Sequence, residues 1–96
     1  MSPLNKKKLN AIRSKLDKLD NQLLALIKKR SNLVNEVLKI KVFKKEIIDQ
    51  KRISFILNKI KKKSKQLKID PKITNRIWKN MIWSFINYEK RNFRKK

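Results

Sequence analysis

Three features of this 96-residue chain predict an all-α fold. It contains no glycine, each of its two prolines directly follows a residue suited to capping a helix, and its apolar residues recur at steps of three and four. Ser2-Pro3 and Asp70-Pro71 therefore read as helix starts. The first helix is expected from Pro3 to about Lys41. Its seam, Leu9, Ile12, Leu16, Leu19, Leu23, Leu26, Arg30, Leu33, Val37 and Ile40, continues without a turn signal. At 1.5 Å per residue such a helix is roughly 55 Å long. A folded domain of this size has a radius of gyration of about 13 Å, so a second chain is expected to pack along the helix.

A short polar stretch, Val42 to Ile48, comes next. Asp49 can cap a second helix, with Ile48 and Ile53 placed as a hydrophobic staple across its first turn. The apolar face of this helix is Ile53, Ile56, Leu57 and Ile60. The run Lys61, Lys62, Lys63, Lys65 and Lys68 reads as a solvated end and connection. It is also the best candidate for a nonspecific phosphate-binding patch, but no aromatic residue is interleaved with it to stack bases. The third helix opens at Asp70 and Pro71 and carries Ile73, Ile77, Trp78, Met81, Ile82, Phe85 and Ile86. The tail, Lys90 to Lys96, is basic and expected to fray from residue 91. Residues 1–96 read as one domain.

The chain carries 29 basic and 7 acidic residues, a net charge of +22. Cations outnumber internal mates fourfold, which favours an anionic partner: nucleic acid, an acidic membrane face or a small polyanion. Lys, Asn and Ile fill nearly half of the sequence, a skew that AT-rich coding DNA produces without selection for binding. With neither cysteine nor histidine, disulfides, thiol chemistry, zinc sites and imidazole catalysis are excluded, and no cofactor or metal is expected. No apolar run approaches the roughly 18 residues of a membrane span, and no secretory signal is evident. A cytoplasmic protein is expected.

Arg30 is the residue that breaks the seam. An unpaired buried guanidinium costs several kcal/mol, on the order of the stability of a small domain, so an anion should meet it. Lys41 lies eleven residues on, within about 20° of the same helix face and roughly 16 Å along the axis. Two cations so placed could grip the ends of a small dianion, and guanidinium suits bidentate carboxylate binding. Arg13 is about 25 Å from Arg30 and some 100° round the helix, out of reach from its own chain but deliverable by an antiparallel partner. Arg52, one residue before Ile53, could complete a cationic lining. Glu89 continues the stripe Trp78, Ile82, Phe85, directing a carboxyl group inward. Two readings of it stand: a ligand-facing group, or a buried bridge to Arg30 or Arg52. Cations with one carboxyl and neither nucleophile nor metal suit a reaction that needs only positioning and electrostatic stabilisation, such as a pericyclic rearrangement.

The segment IRSKLDKLDNQLLALIKKRSNLVNEVLKIK, followed by IIDQKRISFIL and IWKNMIWSFINYE, resembles the all-helical (type II) chorismate mutases over residues 9 to 90. The resemblance rests on the ordered set Arg13, Asp20, Arg30, Lys41, Arg52 and Glu89. It implies an intertwined helical homodimer with two active sites. It implies further that Arg30, Lys41 and Arg52 bind the carboxylates and ether oxygen of chorismate, and that Arg13 is supplied across the interface. Asp20 matches an aspartate taken as structural, and Asp49 an acidic residue near the pocket in some members, with an N-cap role as the other reading. Lys41, Glu89 and Arg30 are the expected catalytic residues. Arg13, Arg30, Lys41, Asp49, Arg52, Ile53, Phe85 and Ile86 are expected to bind substrate.

Ile53 stands where many members carry a glutamate that holds the substrate hydroxyl, and Phe85 where they carry a serine. Both departures, with the aromatic-rich WSFINYE segment, are similar to the branch containing isochorismate pyruvate lyase. Glu89 stands where glutamine is common, although some eukaryotic mutases use glutamate. A glutamate donates to the ether oxygen only when protonated; the substrate dianion favours that form and the cationic lining opposes it. The expected activity is rearrangement of chorismate to prephenate in aromatic amino acid biosynthesis. The alternatives are isochorismate pyruvate lyase, forming salicylate, and a non-enzymatic basic helical module that binds nucleic acid. Neither a specific nucleic acid nor a membrane is the expected partner.

Overall fold

A computed structural model describes residues 1–94. In chain order it consists of α1 (Pro3–Ile40), a 3₁₀ turn (Lys44–Ile47), α2 (Gln50–Gln66) and α3 (Pro71–Asn92), with no strand among the described residues. The helix starts lie where the prolines and caps predict. The Ser2 hydroxyl accepts from Asn5 N at 3.1 Å. The Asp49 carboxylate accepts from Arg52 N at 3.0 Å, and the Asp70 carboxylate from Lys72 N at 2.9 Å. Each satisfies an N–H that the first helical turn leaves without a partner, typically worth about 1 kcal/mol. No described helix is long and apolar enough to cross a membrane.

The chain divides into two compact units, Met1–Leu33 and Val34–Lys96. The first is helical from Pro3 onward. α1 buries no residue. Its seam is apolar yet open: Leu16 is 52% exposed, Leu23 55% and Leu26 58%. Side chains at this spacing form one continuous stripe, unlike the scattered apolar residues of an ordinary surface.

The second unit has a core of Ile47, Ile82 and Ile86, against which Ile48, Ile53, Ile56, Leu57 and Phe93 pack. Both residues of the expected staple, Ile48 and Ile53, thus serve the core. Val42 to Ile48 is more than a polar connector, because its 3₁₀ turn drives Ile47 inward to 3% exposure. Phe43 N donates to Glu46 Oε1 at 2.9 Å and fixes the start of that turn. α2 and α3 are joined at their connected ends by a buried hydroxyl pair. Ser64 Oγ donates to the Ile60 carbonyl at 2.6 Å and lies 2.7 Å from Thr74 Oγ1, which is left to donate to it.

The lysine run from Lys61 to Lys65 is helical, so the connection is confined to residues 67–70. Lys68 holds a positive φ of 57°. Its N–H donates to the Lys65 carbonyl, and Ile69 N donates to the Ser64 carbonyl at 2.8 Å, the paired bonds that close a helix on a left-handed residue. Glycine is the usual occupant because a Cβ is penalised in that conformation. Lys68→Gly is therefore expected to stabilise the fold by about 0.5–1 kcal/mol, read as a raised thermal midpoint in circular dichroism. At the other end, α3 continues through Asn92 and Phe93 packs on the core, so the expected tail is anchored this far. Lys95 and Lys96 lie outside the described residues.

Candidate functional site

Lys41 directly follows α1, its N–H donating to the Val37 carbonyl at 3.2 Å. Its ammonium donates to Glu89 Oε1 at 3.1 Å, with the two side chains 17% and 8% exposed. Glu89 is thus buried, as its place on the inward stripe of α3 predicts. The cation it pairs with is Lys41, which the inward stripe of α3 did not announce. The preceding residue makes a second tie to the end of α1, the Tyr88 hydroxyl donating to Asn35 Oδ1 at 2.8 Å. A buried pair of this kind adds little net stability, since desolvation offsets the attraction. What it does is fix one ammonium at one place with N–H groups to spare, because lysine carries three donors.

Beside it, Lys41, Glu46, Ile48, Asp49, Gln50 and Lys51 line an open hollow of about 460 Å³, the size of a small-metabolite site. Both acids in the lining accept a backbone N–H, Glu46 from Phe43 and Asp49 from Arg52. The lining's cations toward an anion are the ammonium groups of Lys41 and Lys51. Of these six residues, Lys41 and Asp49 were expected from the sequence. Glu46, Ile48, Gln50 and Lys51 were not: Glu46 lies in the 3₁₀ turn and Ile48 follows it, a turn with no apolar periodicity to announce it, while Gln50 and Lys51 open α2 outside its apolar face.

The other expected site residues are distributed as follows. Arg52 is exposed, its guanidinium 5.5 Å from the centre of the Phe55 ring. Ile53 is half-buried against the core, Phe85 is half-buried, and Ile86 is a core residue at 5% exposure. Arg13 and Asp20 are exposed on α1 and Arg30 is half-buried, all three within the first unit. The second unit thus brings together Lys41 with Glu89 and Lys41 with Asp49. No group of acidic residues suited to a metal ion occurs among the described residues.

The family described as chorismate mutase type II matches residues 12–90. A protein named chorismate mutase from Methanocaldococcus jannaschii is 36% identical over 76 residues, covering 78% of this chain and 77% of its own length. No solved structure matches significantly. With the match running from α1 to the end of α3 and embracing both Lys41 and Glu89, the chain belongs to the chorismate mutase type II family and is an enzyme of the isomerase class.

Proposed function

We propose that this protein is a cytoplasmic, homodimeric chorismate mutase that rearranges chorismate to prephenate in aromatic amino acid biosynthesis, without a cofactor. The observation that carries the reading is the pair of half-buried Lys41 and buried Glu89 at the edge of a hollow of metabolite size. In the rearrangement a C–O ether bond breaks while a C–C bond forms, in one cyclic movement of six electrons, with no proton or redox partner consumed. Catalysis then consists of holding the enolpyruvyl arm over the ring and stabilising charge that develops on the ether oxygen. Lys41 donates to that oxygen while Glu89 sets the position of its ammonium. Arg30 and Arg52 take the carboxylates, which requires Arg52 to leave the Phe55 ring. A contact of that type at an exposed site is worth only about 0.5–1 kcal/mol, so a carboxylate readily displaces it.

The open stripe of α1 supports the dimer, since a second copy would cover it and bring Arg13 to the site of its partner. Asp49 acts at the site through its cap, which orients the first turn of α2 and with it Arg52. Phe85, Ile53 and Ile86 contribute apolar walls.

Isochorismate pyruvate lyase activity is the second reading, favoured by Ile53: its side chain packs on the core and offers no acceptor to a substrate hydroxyl. The deciding experiment is incubation of the purified protein with chorismate and with isochorismate, followed by chromatography of the products. Prephenate formed rapidly from chorismate is the expected result. Salicylate and pyruvate from isochorismate, with only slow prephenate formation, would transfer the protein to the lyase branch.

A further inference from the structure

α2 has a second surface that the isomerase reading does not use. Every charged side chain of Gln50–Gln66 is basic. Ile53, Ile56 and Leu57 turn toward the core. Around the rest of the helix, Phe55, Asn58, Lys59, Lys62, Lys63 and Gln66 surround an open hollow of about 390 Å³. Phe55 is 55% exposed, an unusual place for a large aromatic ring, and the Lys59 ammonium lies 5.9 Å from its centre. Residues 55, 59, 62 and 66 follow one another at steps of four, three and four, so they form a single row along the helix. Read as a linear run, the lysines from 61 onward have no aromatic among them. On the folded helix the row begins with one.

We propose that this face of α2 binds single-stranded nucleic acid without sequence preference. A one-signed row of flexible ammonium groups tracks a phosphate backbone, while an exposed ring at the head of the row can stack on an unpaired base of any identity. Asn58 and Gln66 add amide donors and acceptors for sugar and base edges. Among the described residues, Lys59, Lys62 and Lys63 make no ion pair, so their charge is available. A protein partner fits less well, because interfaces are depleted in lysine and a face with no acid cannot fix register by paired charges. A membrane fits less well too: insertion needs several apolar side chains facing outward, and this row has one.

The test is fluorescence anisotropy of a labelled 20-nucleotide oligo-dT with the full chain, titrated over a range of salt concentrations. The unaltered protein is expected to bind with a log–log salt slope of at least about −2, which three phosphate contacts on a single strand give. Replacing Lys59, Lys62 and Lys63 together by Gln is expected to weaken binding at least about tenfold and to flatten the slope by about 2. Phe55→Ala is expected to weaken it at least about fivefold with the slope unchanged, since stacking releases no counterions. Far-UV circular dichroism and thermal midpoints check that each variant folds. The control is Lys6, Lys7 and Lys8 on α1, replaced by Gln for an equal change in net charge. A loss as large in this control, or full binding by Phe55→Ala, would overturn the proposal in favour of diffuse charge attraction. So would absence of oligo-dT binding, or binding of phosphatidylserine vesicles that depends on the row while oligo-dT binding does not.

Discussion

Lys41→Ala is expected to lower the kcat for chorismate about 100- to 1000-fold while changing KM much less. A donor aimed at an oxygen that becomes negative only as the bond breaks contributes to the transition state more than to the bound substrate, and deletion of such donors has effects of this size. The structure sharpens the expectation. The ammonium is tied to Glu89 at 3.1 Å with its side chain 17% exposed, so its position is set before substrate arrives. Steady-state kinetics on the variant give the split directly, and a loss confined to KM would reassign Lys41 to uniform substrate binding. Glu89→Gln is the companion measurement. Glutamine keeps the length of the side chain and an oxygen that can accept from the Lys41 ammonium, so most of the kcat is expected to remain. A loss as large as that of Lys41→Ala would show that the charge of Glu89 is what holds that ammonium.

The second large effect concerns assembly. Arg13→Ala and Arg30→Ala homodimers are each expected to lose most of their activity, but mixing the two variants under conditions that exchange subunits should restore about a quarter of it. Half of the random dimers are mixed. In each of these, one site combines an intact Arg30 with an intact Arg13 from its partner, and the other site lacks both. Recovery of this kind requires a site built from two chains, and its absence in a preparation shown by sedimentation to be mixed dimers would place Arg13 in its own chain's site or outside the chemistry. The apolar stripe of α1 is the reason to expect the dimer: leucines half exposed along one face lose a substantial hydrophobic contribution unless covered. Arg13 itself is exposed on that helix.

Much of the architecture was legible in the sequence because the signals involved are local. A proline after serine or aspartate starts a helix wherever it occurs, and steps of three and four make one apolar face whatever packs on it. Hence the start of α1, both aspartate caps and the inward direction of Glu89 could be read without coordinates. The 3₁₀ turn could not. Four residues, Lys44–Ile47, are too few to show periodicity, and only packing reveals that Ile47 belongs to the core. The same holds for Lys68, whose left-handed backbone is imposed by the bonds closing α2 in a chain without glycine.

For the candidate site the division falls between residue type and pairing. The sequence by itself determined a helical, strongly cationic chain with one carboxyl directed inward, because charge, capping and face are properties of residues and their spacing. Tertiary structure alone decided which cation that carboxyl meets. Lys41 and Glu89 are 48 residues apart, and their meeting depends on how α3 lies against the end of α1, where Tyr88 also finds Asn35. It likewise decided that Ile86 serves the core, since that follows from the rotation of α3 about its axis, which only packing against its neighbours fixes.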